Sequence, residues 1–329
     1  MKTFIKRILL NLSNHVKQFK DGLDIFRGFV YDYRYYMSTN YISTSNIKDK
    51  LSAKIMLTMH ELEKGMSFKK NPREFGDAKA NFLTDSLKKY KSLYGIDELY
   101  ITSLNILNEY YKDAWSTKKI ETRAKLESLL YEDSKYIVES MTGVKTISKP
   151  HPFNESAILD FFISRSSVRD YSDQDVLPEE IQNAINFAKV TPTACNRQSC
   201  RVYYYNDKVV MNKIIENQLG NQGWCDRAKG IIVVTSNQSL FGKSYERSQA
   251  LIDGGLYAMN LVYGLHLQRI ASCFKMYVRE PKREKQFRTI TGVAYNEIPI
   301  VLILVGHYKE DCILEPKSHR FDNYTKLYQ

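Results

Sequence analysis

The chain has 329 residues, 43% of them apolar and 26% charged, a length that allows two domains and a composition ordinary for a globular protein. Its net charge of +11 is uneven, with 26 Lys/Arg against 18 Asp/Glu in residues 1–150 and 22 against 19 in residues 151–329. No run approaches 18 apolar residues, so the sequence predicts no membrane-spanning helix. The five cysteines, Cys195, Cys200, Cys225, Cys273 and Cys312, have neither the even number nor the spacing of a disulfide framework or a zinc site. A reducing, cytoplasmic setting is expected.

The first 135 residues read as almost wholly helical. Apolar residues recur at three- and four-residue spacing over 3–37, 49–64, 82–93, 97–114 and 118–131. In the first of these, Phe4, Ile5, Ile8, Leu9 and Leu12 share a face with Lys and Arg opposite. That pattern fits a helix lying on a membrane surface, but a helix docked on the protein itself is the favoured expectation. "STNYISTSN" (38–46) and "KKNPREFG" (69–76) are breaks, and "STKK" (116–119) caps the next helix. The basic half has no nucleic-acid-binding motif, so a solvated basic surface is expected rather than a nucleic-acid partner.

"TGVKTISKPHPF" (142–153), with its glycine and two prolines, reads as a boundary between units at 1–145 and 146–329. Beyond it strands and helices mix. Strands are expected at 201–206, 230–237, 270–276 and 298–307, and helices at 177–190, 244–269 and 279–291. Pro178 sits in the first turn of its helix, with two glutamates near the positive end of the dipole. The class is α+β, with central strands and surrounding helices.

Three stretches carry chemistry. "SRSSVRDY" (164–171) follows the apolar "ILDFFI", which is expected to run into the core. Arg165 and Arg169 are four apart and share a face if helical, and arginine forks with serine hydroxyls suit a phosphate. By itself the stretch equally reads as a capped helix start with two surface arginines. "TPTACNRQSCR" (191–201) links a helix to a strand. Its Asn196 and Gln198 amides both donate and accept, as a planar heterocycle requires, though a plain polar turn has the same composition. "PKSHR" (316–320), after the last strand, adds Lys317 and Arg320, or is an exposed basic tail.

Together the stretches resemble the nitroreductase family of FMN-dependent flavoproteins. "RSSVR" is similar to its Arg-Arg-Ser-x-Arg-type motif on a helix start. "PTACNRQSC" is similar to its Pro-Ser-x-x-Asn-x-Gln-Pro-Trp motif, and "DGGLYAMNLVYGL" (253–265) to its long central helix. "VGHYKEDCILEPKSHR" (305–320) is similar to the end of its last strand. The resemblance implies a nitroreductase-like fold with a central mixed, mainly antiparallel sheet flanked by helices, preceded here by an all-helical N-terminal domain. It implies that Arg165, Ser166, Ser167 and Arg169 hold the FMN phosphate and ribityl chain, with Lys317 and Arg320 completing the clamp. Pro192, Thr193 and Ala194 would line one side of the flavin, usually from the partner subunit of a homodimer with flavin at the interface. Asn196 and Gln198 would meet the ring edge, and the backbone around Ser272 and Cys273 its reactive edge.

The implied activity is hydride transfer from NADH or NADPH, through the flavin, to a small-molecule acceptor such as a nitro compound or quinone. The alternative is a flavin-binding accessory or sensor protein without nicotinamide turnover. The family pattern implies no side chain as general acid or base, and no Cys/His cluster in the sequence has the spacing of metal ligands. The sequence departs from it at Arg269-Ile270-Ala271, where Gly-Leu-Gly is common, and at Ser199-Cys200, where Pro-Trp is common. "HELEKGMSFKKNPREFG" (60–76) is similar to a segment of long nitroreductase-like proteins associated with bacterial surface-polysaccharide genes; it also reads as a plain helix end and loop.

Overall fold

The computed structural model describes residues 2–68, 75–113, 119–139, 141–220 and 223–310, with side chains from residue 16 onward. Lys317, Arg320 and Cys312, most of the 69–76 loop and residues 116–118 of the "STKK" cap lie outside the described residues.

Helix α1 (Lys2–Thr39) is followed by α2 (Ile47–Ser67), α3 (Asp77–Tyr94), α4 (Glu98–Lys112) and α5 (Ile120–Glu132). Asn46 caps α2 by accepting from the backbone N–H groups of Lys48 and Asp49, and Asp97 caps α4 through Tyr100 N. The three- and four-residue spacing puts Ile55, Leu62, Leu83, Leu87, Leu104, Leu107 and Leu126 into one shared core. Asp133, buried just after α5, takes hydrogen bonds from Lys91 Nζ (2.6 Å) and Tyr100 Oη (2.6 Å), which ties three helices together.

The second half contains α6 (Glu155–Ser164), α7 (Pro178–Ala188), β1 (Cys200–Tyr205), α8 (Lys208–Asn217), β2 (Gly230–Asn237), α9 (Gln249–Leu267), β3 (Ile270–Met276), α10 (Pro281–Thr291) and β4 (Glu297–His307). The sheet order is β1-β2-β4-β3 and every neighbouring pair is antiparallel. The parallel element is a single bridge, Ser167 to Ser272, on the outer edge of β3. Side chains alternate across the sheet with period two. Ile231, Val233, Leu302 and Leu304 face one core with Met211 and Ile214 of α8 and Phe287 of α10. Ile232, Val234, Ile303 and Val305 face the other with α7 and α9. A further apolar cluster joins the two halves: Tyr35, Tyr41 and Ala53 pack with Leu240, Phe241, Ala250 and Ile298.

Three expectations are corrected. First, residues 16–29 of α1 are exposed rather than docked, and among the described side chains the helix meets the body only near its C-terminal end; the side chains of Phe4, Ile5, Ile8, Leu9 and Leu12 lie outside the described residues. There Tyr35 Oη donates to Tyr295 O (2.9 Å) and Tyr36 Oη to Lys243 O (2.8 Å). Second, "ILDFFI" does not run into the core. Helix α6 has no buried residue, and Ile158, Leu159, Phe162 and Ile163 are exposed because no described residue covers their face beyond the edge contact of Phe162 with Tyr263. Third, the helix expected over 244–269 is a short 3-10 turn (Ser244–Glu246) followed by α9, with the break where Glu246 turns to bind backbone N–H groups.

Candidate functional site

The 165–169 stretch is extended, not helical. Helix α6 ends at Ser164, and Arg165 adopts φ −68°, ψ 118°. The chain then docks beside β3, with Val168 N donating to Ser272 O (3.0 Å). A helical face shared by Arg165 and Arg169 is thereby overturned, yet the extended form still puts residues 165, 167 and 169 on one side. Val168 and Tyr171 are buried against the sheet, and Tyr171 Oη donates to Val168 O (2.7 Å). The ring of Tyr171 lies where a side chain on Gly306 would stand; a Cβ there would be 2.5 Å from Tyr171 Cβ. Glycine at 306 therefore lets the arginine segment seat itself.

Arg169 donates through Nη1 to Ser167 O (3.0 Å), and its guanidinium lies 5.5 Å from the Trp224 ring centre. Arg165 is half-buried and has no hydrogen bond or ion pair to any other described residue. Ser166 is exposed. Next to Arg165, the Ser164 hydroxyl and His266 Nε2 are 2.9 Å apart. Burial pushes the His266 pKa below 6.5, and the charge of Arg165 acts in the same direction. A cation without a counterion among the described residues, beside an imidazole held neutral, is a place that attracts an anion.

The 191–200 loop is built differently. Cys195, Asn196 and Gln198 all have left-handed backbone (φ 53°, 50° and 48°). For non-glycine residues each such conformation costs about 1–2 kcal/mol, so the surroundings must impose the shape. Asp253, buried in α9, accepts from Ala194 N (3.1 Å) and from Gln249 Nε2 (2.8 Å). Asn260 Nδ2 donates to Thr191 Oγ1 (2.7 Å), and Gln198 N donates to Thr193 Oγ1 (3.0 Å). At the centre is Arg197, 2% exposed, which donates to Leu240 O (2.8 Å) and pairs with Glu246. Glu246 in turn accepts from Gly242 N and Lys243 N (both 3.0 Å).

That frame leaves Asn196 and Gln198 exposed, and their side-chain amides make no hydrogen bond to any other described residue. Pro192 is exposed as well, whereas Ala194 packs with the cluster that joins the two halves. Thr193, Gln198, Cys200, Arg201 and Tyr257 line a cavity of about 460 Å³, to which Glu98 of α4 also contributes. Burial pushes the Cys200 thiol up to about 11, which keeps it protonated and unreactive at neutral pH. Cys273 is buried, with Sγ 3.5 Å from Phe274 O.

The two groups of site residues do not meet within one chain. The loop precedes β1 and Ser272 lies on β3, at opposite edges of the sheet. In register, Cys200 aligns with Ser236 and Ile298, while Ser272 aligns with Val305. At ~3.3 Å per residue along β4 and ~4.8 Å per strand across the sheet, the two corners are roughly 25 Å apart. The structure thus joins Arg165, Ser166, Ser167 and Arg169 with Ser272 and Cys273. It groups Pro192, Thr193, Ala194, Asn196 and Gln198 separately, on the opposite diagonal.

Sequence reasoning missed Arg197, Glu246, Asp253 and His266. Of these, Asp253 had a signal, since Gln249 and Asp253 stand four apart on a helix whose motif was recognised. In the N-terminal half, His60 Nδ1 lies 3.3 Å from Glu63 and Lys79 Nζ 3.0 Å from Glu61, so these side chains have partners within the helical half. Among the described residues no group of three or more His, Cys, Asp or Glu is arranged to hold a metal ion.

Residues 163–219 match the model of the nitroreductase family. A protein of Archaeoglobus fulgidus described as a "Putative NADH dehydrogenase/NAD(P)H nitroreductase" is 24% identical over 165 residues, 50% of this chain and 92% of that protein. Among solved structures, a nitroreductase family protein from Streptococcus pneumoniae is similar at 20% identity and a TM-score of 0.44, covering 52% of this chain and 100% of its own. An FMN-dependent nitroreductase from Clostridium difficile is similar at 17% identity and a TM-score of 0.41, covering 50% and 99%. Over residues 163–219 this chain is therefore similar to the nitroreductase family.

Proposed function

We propose that this protein is an FMN-dependent oxidoreductase that takes electrons from NADH or NADPH and delivers them to a small organic acceptor, such as a nitro compound or a quinone. The carrying observation is the docking of the 165–169 segment on Ser272, which holds two arginines beside a β-strand edge and leaves Arg165 without a counterion among the described residues. The donor set fits FMN: fixed cations and hydroxyls for a phosphate and polyol chain, and open amides at Asn196 and Gln198 for a planar ring with alternating donors and acceptors.

When bound, FMN supplies the hydride-accepting chemistry, and the protein supplies position and electrostatics. Arg165 and Arg169, with Ser166 and Ser167, hold the phosphate end, and Lys317 and Arg320 complete the clamp by resemblance to the family. His266, kept neutral by burial, adds no competing charge. Ser272 and Cys273 present main chain to the ring. Pro192, Thr193, Ala194, Asn196 and Gln198 reach the flavin from a second copy, which makes the working form a homodimer. The separation of the two residue groups supports this, as do the uncovered apolar faces of α6 and of α9 at Leu251, Ile252 and Leu256.

We read residues 1–145 as a helical unit that backs the loop through Tyr41 and Ala53, and residues 146–329 as the flavin unit. Glu98 brings the helical unit into the cavity beside Thr193 and Gln198, where an acceptor would be received. The resemblance of His60–Gly76 to long nitroreductase-like proteins supports a link to surface-polysaccharide metabolism. Cysteine usage supports a cytoplasmic location, and among the described residues no helix is long and apolar enough to cross a membrane.

The test is the visible spectrum of the purified chain under anaerobic conditions, before and after NADH or NADPH. Flavin bands that bleach on addition are expected. A chain that stays colourless even when FMN is supplied overturns the proposal. A yellow chain that neither nicotinamide bleaches assigns it to a flavin-binding accessory role.

A further inference from the structure

Helix α1 carries a second pattern, on the side turned away from the protein. Val16, Phe19, Leu23, Phe26, Val30, Tyr33 and Met37 follow one another at alternating spacings of three and four residues. In the sequence the alternation continues back through Leu12, Leu9 and Ile5, giving ten successive positions. Such a heptad repeat, sustained over more than four heptads, is the mark of helices that wind around one another. A strict 3.5-residue repeat drifts by about 20° per heptad on a straight helix, hence roughly 90° along α1. A flat lipid face would therefore meet only part of the seam, whereas a supercoiled partner helix meets all of it.

The seam is open. Phe19 is 74% exposed, Phe26 63% and Tyr33 66%, while Tyr35, on the opposite side of the helix, is 3% exposed and seated on the body. Arg279 fixes that foot by pairing with Asp32 (3.1 Å) and stacking on Tyr35 (4.9 Å between the guanidinium and the ring centre). Beside it, Phe29 and Tyr33 share a cleft of about 330 Å³ with Leu251, so the open side of α1 continues into the uncovered apolar face of α9.

The flanks of the seam choose the partner. One flank is basic, with Lys6, Lys20, Arg27 and Arg34, and the other holds Ile8, His15, Gly22, Phe29 and Tyr36. Antiparallel pairing of two copies would set the basic flank against itself. Parallel pairing sets it against the uncharged flank, with Arg34 opposite Phe29 of the other copy, a favourable cation–π pairing. We infer that the α1 helices of two copies of this chain pair as a parallel, in-register two-stranded coiled coil. The segment lies outside the family match at 163–219. The inference does not depend on flavin chemistry, though it uses the same pair of copies.

Cysteine cross-linking of the full chain tests it. Leu23→Cys lies in the seam and Asp21→Cys on the outer side. Under mild oxidation, Leu23→Cys should move most of the protein to a reductant-sensitive band at twice the 38.4 kDa of the chain. Asp21→Cys should give no more of this band than the unsubstituted chain, whose native cysteines set the baseline. Adding Phe19→Lys and Phe26→Lys to Leu23→Cys should abolish the band while flavin absorbance is retained. Leu23→Cys at baseline, or equal cross-linking of both variants, overturns the inference. So does a Leu23→Cys chain that stays at baseline and sediments with phosphatidylserine vesicles, which would make the seam a lipid-binding face.

Discussion

Arg197 and Glu246 meet as an ion pair in the interior, 49 residues apart in the chain, and between them they hold a loop whose own backbone resists its shape. Glu246 is held below its ordinary pKa against the opposing effect of burial, by Arg197 and by the backbone N–H groups of Gly242 and Lys243. Removing one member of a buried pair leaves the other uncompensated, typically at about 3–5 kcal/mol. Arg197→Leu should therefore lower the thermal midpoint by several degrees and release the left-handed residues Cys195, Asn196 and Gln198. Calorimetry of the purified variant measures this directly, and an unchanged midpoint would show that the pair does not hold the loop.

Arg165 has no described partner to lose, so Arg165→Ala should change the stability of the flavin-free protein by less than about 0.5 kcal/mol. Its loss should be felt in binding. A hydrogen bond to a charged group contributes about 1.5–3 kcal/mol, or roughly 10- to 100-fold in affinity. Titration of FMN followed by quenching of its fluorescence checks the ratio. Equal affinity of the variant and parent would remove Arg165 from the clamp.

His266 gives a pH signature. Its folded pKa lies below the ordinary value of 6.5, through burial first, with the charge of Arg165 acting the same way against a hydrogen bond to the Phe161 backbone, so below about 6.5 the unfolded chain binds more protons than the folded one. The histidine's contribution to stability is present above pH 6.5 and is lost as the pH falls through and below it. His266→Gln should flatten that part of the acid slope in urea unfolding midpoints between pH 5 and 7.5. Parallel slopes for variant and parent would mean that the imidazole is not held neutral.

Gly306→Ala should unseat the arginine segment, because the new methyl group meets Tyr171 well inside contact distance. Overpacking of this kind costs about 1–3 kcal/mol. The expected result is a lower melting point together with weaker FMN retention, since Val168 and Tyr171 anchor the stretch that carries both arginines. Retention equal to the parent's at the same temperature would separate the segment from the flavin site.

Much of this was legible along the chain. Strands β2 and β3 lie at 230–237 and 270–276 as β-branched and apolar content predicts, and the helices of the first half follow their three- and four-residue spacing. What failed did so for identifiable reasons. Arg165 and Arg169 look helical by spacing, but the bridge to Ser272 is a tertiary contact that no local pattern announces. "ILDFFI" looks buried because it is apolar, yet composition does not say whether its cover comes from the same chain. The left-handed loop was hidden because Cys195, Asn196 and Gln198 are not glycines, and Arg197 looks like any arginine in a polar turn. Its burial depends on Glu246 and Leu240, which arrive from elsewhere in the sequence.

In the proposed homodimer, the diagonal placement of the two residue groups predicts subunit complementation. One chain disabled at Arg165 and another disabled at Asn196 and Gln198 would each be inactive alone. In a mixed dimer, both lesions fall in one site and the other site is assembled from intact parts. Random mixing makes half the dimers mixed, each with one working site, so about a quarter of wild-type activity should reappear on co-refolding two dead proteins. A protein whose site lay within one chain would recover nothing.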